Sequence, residues 1–248
     1  MKVVAIIQAR MGSSRLPGKI LSDILGRPML AHQLDRVKRA KVDEIVLATT
    51  RNSEDDQIVE LAQNQGVTWF RGDEHDVLSR FVGAARQSRA DVVIRLTGDC
   101  PLIDPGVIDL VIKELTASDA ACDYAANLLE RTYPRGLDVE ALFLDVLERI
   151  GRMAKSRESR EHVTLFCRSE RPELFSMRSV TNSEDNADLR WTVDTQADLQ
   201  LVRRIYQELD LSNTLLGYRD VVLHVRQHPE LQHINSDEVT WDPTRKAA

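Results

Sequence analysis

Apolar residues in the first hundred positions follow two alternating spacings, which predict strands separated by helices. Short β-branched runs predict strands, and stretches with an apolar residue every three or four positions predict amphipathic helices. The predicted strands are residues 3–7, 44–49, 67–70 and 91–97, and the predicted helices are about 28–37, 53–65, 76–88 and 105–116. Elements that alternate in this way are typical of a parallel sheet covered on both faces. We therefore predict an α/β fold with a mainly parallel, doubly wound sheet.

The regular alternation stops between residues 122 and 185. The shorter elements predicted there are strands 123–127, 137–142 and 175–180 and helices 143–154 and 159–169. The pattern resumes with a predicted strand at 189–193, a helix at 196–209 and a last helix at 218–227. We interpret 122–185 as an inserted α+β segment, within a single domain of residues 1–248, that binds an acceptor or forms a dimer surface. The polar stretch 229–248 has little periodicity and is predicted to be a loose tail.

The composition is that of an ordinary globular protein, because 42% of the 248 residues are hydrophobic and 29% are charged. The longest apolar run, residues 3–7, is far short of the ~20 residues of a membrane helix, and Gln8 and Arg10 interrupt it before a secretory signal can form. The three cysteines lack CxxC spacing, which argues against a disulfide framework or a structural zinc site. A net charge of −6 argues against non-specific binding to nucleic acid. We expect a cytoplasmic protein without membrane or nucleic-acid partners.

The loop after the first predicted strand, residues 8–19 (QARMGSSRLPGK), has the composition of a phosphate-binding segment. Glycines let the backbone approach a phosphate closely, and successive amides can form an anion-binding nest. Its cations have no acidic residue nearby in the sequence, since the first carboxylate of the chain is Asp23. The spacing of Gly12, Gly18 and Lys19 differs from that of a Walker A loop. We predict that this loop binds a polyanion; the alternative is a solvated loop with ordinary salt bridges.

Two aspartates follow predicted strands and are expected at one edge of the sheet. Asp99 follows strand 91–97, and Asp194 follows strand 189–193. Carboxylate oxygens at the ends of parallel strands suit Mg²⁺, which keeps waters and bridges to substrate phosphates. A turn cap is the alternative role of Asp99. Asp198 is interpreted as a helix-start charge, and Cys100 as a small buried residue rather than a nucleophile.

Several motifs of the sequence resemble those of a known family. Residues 8–19, followed by GRPML at 26–30, resemble the nucleotide-binding signature of the cytidylyltransferases that make CMP-activated sugar acids, including the 3-deoxy-manno-octulosonate and acylneuraminate enzymes. The likeness is strongest to the spore-coat polysaccharide F-type branch. The other motifs that carry it are residues 70–72, 96–103, 131–140, 160–164 and 191–195. One departure is Gln8, since those enzymes usually have Pro at this position.

The resemblance implies a Rossmann-like sheet of the nucleotide-diphospho-sugar transferase type and a nucleotidyl transfer. An acceptor oxygen attacks the α-phosphorus of CTP and pyrophosphate leaves, so that positioning and charge neutralisation carry catalysis. The residues expected to be catalytic are Arg15, Lys19, Asp99 and Asp194, with Mg²⁺ held by the two aspartates. The residues expected to bind the nucleotide are Ala9, Arg10, Gly12, Ser13, Ser14, Arg15, Lys19, Arg71 and Thr97.

The inserted segment supplies the candidates for acceptor binding. They are Arg135, Asp138, Glu140, Arg160 and His162. Potential cations beside carboxylates suit a hydroxylated, anionic acceptor, which the resemblance implies to be an acidic sugar used for surface polysaccharide. A dimer surface has the same composition, and a homodimer is expected. Three alternatives remain open: a sugar-nucleotide-dependent glycosyltransferase, a cytidylyltransferase for a phosphorylated or phosphonate acceptor, and a non-catalytic nucleotide-binding subunit. The sequence has no Asp-x-Asp triplet, which argues against the glycosyltransferase.

Overall fold

The computed structural model describes residues 1–117 and 122–238, and its central sheet has seven strands in the order β5-β4-β1-β6-β8-β7-β9. The strands in chain order are β1 (Val3–Gln8), β2 (Asp23–Ile24), β3 (Arg27–Pro28), β4 (Glu44–Thr50), β5 (Thr68–Gly72), β6 (Val92–Thr97), β7 (Tyr124–Ala126), β8 (Glu140–Phe143) and β9 (Met177–Ser179). β5, β4, β1 and β6 are parallel, whereas β8 is antiparallel to both β6 and β7. The separate pair β2–β3 is antiparallel. The predicted mainly parallel sheet is confirmed.

Helices lie between the strands close to the predicted positions. They are α1 (Met29–Val37), α2 (Asp56–Asn64), α3 (Val77–Gln87), α4 (Pro105–Thr116), α5 (Leu144–Met153), α6 (Arg157–Glu161), α7 (Gln196–Glu208), α8 (Tyr218–Gln227) and α9 (Pro229–His233). Side chains of Asp76, Asp104 and Thr195 accept backbone amides at the starts of α3, α4 and α7, which fixes where these helices begin. In the described part of the chain, no helix is long and apolar enough to cross a membrane.

The sheet is buried on both faces, as a doubly wound fold requires. Alternate residues of β1 enter different apolar clusters: Ala5 and Ile7 pack on the side of α1, α4 and α7, and Val4 and Ile6 pack on the side of α3 and α5. All four side chains are fully buried. Because successive strand residues point to opposite faces, a continuous apolar run such as Val3–Ile7 fits a central strand.

The predicted strand at 189–193 is wrong. Arg190 makes only an isolated bridge with Arg135, and the Val193 amide donates to the Asp99 carbonyl over 2.8 Å. Residues 134–138 approach this segment so closely that a Cβ on Gly136, whose φ is +102°, would lie 2.6 Å from the Thr192 nitrogen. The apolar alternation of 189–193 therefore reflects packing against loops, and the segment reaches the sheet edge without joining the sheet.

Two further predictions need correction. The predicted helix 159–169 is divided, because α6 ends at Glu161, Val163 has a φ of +50°, and a π-helix follows at Phe166–Glu170. The expected loose tail begins instead with an ordered helix, α9, whose Leu231 is fully buried. This apolar side chain anchors the segment in the core. Residues 239–248 of the expected tail lie outside the described residues.

Candidate active site

Two adjoining cavities open at the carboxyl ends of β1 and β6, where ligands of parallel sheets bind. The first, the loop cavity, has a volume of about 400 Å³. It is lined by side chains and backbone from residues 8–20, 74–80, 97–99 and 157–162. The second, the arginine-lined cavity, measures about 700 Å³. Its six arginines are Arg15, Arg95, Arg131, Arg135, Arg168 and Arg190. Asp99 and Arg15 line both cavities, so the two share a wall at this point.

Lys19 joins the two predicted aspartates. Its Nζ donates to Asp99 Oδ2 and to Asp194 Oδ1, each over 2.9 Å, and to the Val193 carbonyl over 2.8 Å. Burial acts to lower the pKa of Lys19, but the adjacent Asp99 and Asp194 hold it above its ordinary value. Burial acts to raise the pKa of Asp99, and the Lys19 ammonium holds it below its ordinary value. Lys19 and Asp99 therefore remain charged at neutral pH.

The other cations of the loop also have carboxylate partners. Arg15 contacts Asp194 Oδ1 over 3.0 Å, and Arg10 contacts Glu74 Oε1 over 3.0 Å. No acidic residue lies near these cations in the sequence, and the carboxylates that pair with them come from distant parts of the chain. Each of these contacts has at least one partly exposed side chain, so a polyanion that enters from solvent can compete for the arginines.

Some backbone amides of the loop bond within the protein, and others have no protein acceptor in the described residues. The Met11 amide donates to Asp55 Oδ1 over 2.7 Å, and the Gly18 amide closes the loop on the Met11 carbonyl over 3.0 Å. Within residues 1–117 and 122–238, the structure gives the amides of Gly12 and Ser14 no protein acceptor. Free amides beside cations form the kind of concavity that binds phosphate.

The loop cavity collects all but one of the residues expected to bind the nucleotide. Those that line it are Ala9, Arg10, Gly12, Ser13, Ser14, Arg15, Lys19 and Thr97. Arg71 does not line either cavity; its guanidinium donates to the carbonyls of Thr50 and Asn52 over 2.7 and 2.6 Å and to Asp56 over 2.5 Å. Arg71 therefore fixes the turn after β4 in this structure and does not reach the loop cavity.

Glu140 organises the floor of the arginine-lined cavity. It is 2% exposed, forms an ion pair with Arg95, and accepts hydrogen bonds from Thr164 and from Tyr124 Oη, the latter over 2.6 Å. Burial acts to raise its pKa, but Arg95 and Arg168 hold the pKa of Glu140 below its ordinary value. This carboxylate therefore orients two arginines, rather than presenting free oxygens to an acceptor as expected.

Three other acceptor candidates line the same cavity, and one does not. Asp138, Arg135 and His162 line it, and Asp138 accepts two bonds from Arg131, over 2.6 and 2.9 Å. Burial, together with Arg95 and Arg168, lowers the pKa of His162, so its imidazole is neutral at neutral pH. Arg160 lines neither cavity, because its guanidinium binds Asp76 at the start of α3 and the Gly151 carbonyl. Arg160 therefore has a structural role in place of the expected role in acceptor binding.

Four arginines of the site were not foreseen from the sequence. They are Arg95, Arg131, Arg168 and Arg190. A charged residue in the middle of the apolar strand β6 was the one available signal for Arg95. Arg190 donates from Nη2 to Asp194 Oδ2 over 2.8 Å and from Nε to Asp198 Oδ1 over 3.0 Å. Asp198 in turn accepts the amides of Asp194 and Thr195 over 2.9 and 3.0 Å, which confirms its helix-start role.

The donor set fits a magnesium ion that binds together with a phosphate. Among the residues that the structure describes, no group of three or more His, Cys, Asp or Glu side chains is arranged to hold a metal. Asp99 and Asp194 offer hard oxygens beside the loop cavity, and Mg²⁺ characteristically uses one or two carboxylates plus substrate phosphates and waters. The neighbouring Cys100 is buried, and burial and Asp99 raise the pKa of its thiol well above its ordinary value, so it is not an activated nucleophile.

Known proteins resemble this chain in sequence and in fold over most of its length. Residues 4–216 match the model of the cytidylyltransferase family. The spore coat polysaccharide biosynthesis protein SpsF of Bacillus subtilis is 34% identical over 83% of this chain and 87% of its own. A cytidylyltransferase of Leptospira borgpetersenii has a TM-score of 0.88 and 32% identity, covering 98% of this chain and 100% of its own. A CMP:2-keto-3-deoxy-manno-octonic acid synthetase, solved with CTP, has a TM-score of 0.66 and 25% identity, covering 84% and 100%.

Proposed function

Because the chain belongs to the cytidylyltransferase family, we propose that it transfers CMP from CTP to an oxygen of an acidic sugar, with release of pyrophosphate, for surface polysaccharide synthesis. The observation that carries the proposal is the position of Lys19, which lies between Asp99 and Asp194 at the wall shared by the two cavities. A phosphate-binding cation and two metal-binding carboxylates therefore lie where a nucleotide and an acceptor meet.

The loop cavity is the proposed site of CTP. Arg10, Arg15 and Lys19 exchange their carboxylate partners for oxygens of the triphosphate, and the amides of Gly12 and Ser14 donate to the same group. Charge-assisted hydrogen bonds of this kind stabilise the charge that shifts onto the leaving pyrophosphate. The chain thus neutralises the triphosphate and keeps it in line with the acceptor.

Asp99 and Asp194 are the proposed holders of Mg²⁺. The bound ion supplies further neutralisation of phosphate charge. Lys19 and Arg15 would leave Asp194 when they bind the triphosphate, and this carboxylate would then have an oxygen free to hold the ion. Arg190, on the other oxygen of Asp194, keeps the carboxylate oriented during this exchange.

The arginine-lined cavity is the proposed site of the acceptor. Six arginines face five carboxylates there, and Arg95 and Arg168 are already oriented by Glu140. An arginine fork binds a carboxylate in two places, so an acidic sugar matches this wall, and its hydroxyls find partners in Asp138 and His162. An arginine-rich wall also binds phosphate, so a phosphorylated or phosphonate acceptor is the second candidate.

Pyrophosphate release tests the proposal directly. The purified protein and Mg²⁺ are combined with each of the four nucleoside triphosphates and with a panel of sugar acids, sugar phosphates and phosphonates. We expect release only with CTP and an acidic sugar; release with a phosphonate or phosphate acceptor supports the second candidate. Equal calorimetric affinity for all four triphosphates would contradict the cytidylyl assignment. The homodimer implied by the resemblance belongs to the same proposal, and analytical ultracentrifugation tests it.

A further inference from the structure

We propose that Asn235, in the segment that follows α9, is a positioning residue for Asp194. This inference rests on the proposed function in so far as Asp194 holds the metal. The segment lies beyond residue 216, where the match to the family model ends. It is therefore an addition to the matched region that reaches back to the site.

Asn235 is buried, with an exposure of 7%, and its amide group is directed at the residues behind the site. Its Nδ2 donates to Asp198 Oδ1 over 2.8 Å and to the Arg190 carbonyl over 3.1 Å. One carboxamide thus ties together the side chain of Asp198 and the backbone that carries Arg190.

Asp198 transmits this contact because it is fully buried and shares the guanidinium of Arg190 with Asp194. Its Oδ2 accepts the amide of Asp194 over 2.9 Å and Arg190 Nη2 over 3.2 Å. Asn235 supplies one of the donors that satisfy Asp198. The hydrogen bonds of a buried network strengthen one another, and the loss of one donor weakens those that remain. Without Asn235 the contact between Asp198 and the Arg190 guanidinium therefore loosens, and Arg190 is held less firmly on Asp194 Oδ2.

The anchor of Asn235 is separate from the contact that it makes. α9 begins at Pro229 and packs on α7 and α8 through the fully buried Leu231. Gln232 lies on the same helix and donates from Nε2 to the Val225 carbonyl over 3.4 Å, with no carboxylate involved. Gln232→Ala is therefore a control, because it removes a side-chain amide from α9, next to the segment of Asn235, and leaves the Asp198–Arg190 contact unchanged.

The test compares Asn235→Ala with wild type and with Gln232→Ala in the full chain. Binding of Mn²⁺ in the presence of CTP is measured by electron paramagnetic resonance, and CMP affinity is measured by calorimetry. We expect Asn235→Ala to weaken Mn²⁺ binding and to lower kcat by about three- to tenfold, the range of coupling through a shared network, and to leave KM for CTP and the affinity for CMP unchanged. Gln232→Ala should behave as wild type.

A second measurement needs no substrate. Hydrogen exchange of the Arg190 Nε–H, followed by NMR, should be at least about tenfold faster in Asn235→Ala, because its hydrogen bond to Asp198 is loosened. Unchanged Mn²⁺ affinity and unchanged exchange in a folded Asn235→Ala protein overturn the inference. Equal effects of Gln232→Ala also overturn it, since they reduce Asn235 to an anchor of α9. Failure of wild type to bind CTP contradicts the proposed function instead, and the exchange measurement then still decides the role of Asn235. If the alanine variant does not fold, Asn235→Gln, which keeps the amide, takes its place, and Mn²⁺ binding and Arg190 Nε–H exchange are measured again.

Discussion

Lys19 Nζ and Asp194 Oδ1 lie 2.9 Å apart although the two residues are 175 positions apart in the sequence. The cation comes from the loop after β1, and the carboxylate comes from the turn before α7. Because Lys19 is buried and also contacts Asp99, the charges of the site are balanced before a substrate is present. A triphosphate must therefore replace existing carboxylate contacts, and this exchange can be tested residue by residue.

Arg15→Ala and Lys19→Ala should each weaken CTP binding by about ten- to a hundredfold, since a charge-assisted hydrogen bond contributes roughly 1.5–3 kcal/mol. CMP lacks the β- and γ-phosphates, so its affinity should hardly change. Calorimetry with both nucleotides makes the comparison. Arg10→Ala serves as the contrast and should weaken CTP and CMP alike if Arg10 binds the α-phosphate. If CMP affinity falls as much as CTP affinity in the Arg15 and Lys19 variants, the loop does not hold a triphosphate tail.

Asp99→Asn and Asp194→Asn should each abolish turnover while the protein stays folded, because an amide brings no negative charge to a cation. Turnover is followed as pyrophosphate release, and circular dichroism checks the fold. Asp188→Asn is the matched control for Asp194→Asn, since both aspartates are paired with an arginine but Asp188, which pairs with Arg226, lies outside both cavities. Near-full activity of either site variant would show that its carboxylate is not a metal ligand.

Arg131→Ala and Arg160→Ala should separate acceptor binding from structural support. Arg131 lines the arginine-lined cavity, whereas Arg160 binds Asp76 and the Gly151 carbonyl outside it. Arg131→Ala should raise the KM for the acceptor by about tenfold or more and leave the KM for CTP unchanged. Arg160→Ala should lower Tm and leave both KM values unchanged. A raised acceptor KM in Arg160→Ala would contradict the structural role given to it.

Glu140 should contribute to the stability of the protein against acid. Its folded-state pKa lies below its ordinary value of 4.5 because of Arg95 and Arg168, against the effect of burial. The stabilisation is therefore complete above about pH 4.5 and is lost as the pH falls toward the lower, folded-state pKa. Glu140→Gln should lose about 3–5 kcal/mol at pH 7 by breaking a buried ion pair, and its free energy of unfolding should depend less on pH below 4.5. Urea unfolding at several pH values measures both effects; an unchanged acid slope would contradict the prediction.

Gly136→Ala should reduce both stability and turnover. At a φ of +102° any side chain is strained, and the new Cβ would lie 2.6 Å from the Thr192 nitrogen; strain of this kind costs about 1–3 kcal/mol. The displaced segment leads directly to Asp194, so kcat should fall as well. Gly26→Ala is the matched control, because Gly26 also has a positive φ of +84° but has nothing within 4 Å of the added Cβ. It should lower Tm slightly and leave kcat unchanged.

Local patterns were sufficient to predict the four parallel strands β1, β4, β5 and β6 and the loop that lines the loop cavity. The run Val3–Ile7 and the glycine-containing loop after it place Arg10, Arg15 and Lys19 at one sheet edge, because strand direction alone decides this. The ion-pair partners of these cations could not be predicted, since Glu74, Asp99 and Asp194 are brought to them only by the tertiary fold.

The part of the chain after residue 122 was harder to predict for the same reason. The alternation of Leu189, Trp191 and Val193 is that of a strand, but it reflects packing against the loop at Gly136. Similarly, arginine is a residue type that often binds anions, and the sequence alone predicts such a role for Arg160. The tertiary fold instead places Asp76 beside Arg160, and the two form an ion pair.

β6 lies between the two cavities and contributes lining residues to both. It pairs with β1 on one side and with the antiparallel β8 on the other, where Arg95 is opposite Glu140. The proposed walls for the nucleotide and for the acceptor are thus built on neighbouring strands of one sheet, about 4.8 Å apart. The relative placement of the two proposed sites is consequently set by the backbone geometry of this sheet. In this proposal, substitutions on β8 and the loops beside it can accommodate a different acceptor. The loop cavity, as the proposed nucleotide site, then remains unchanged.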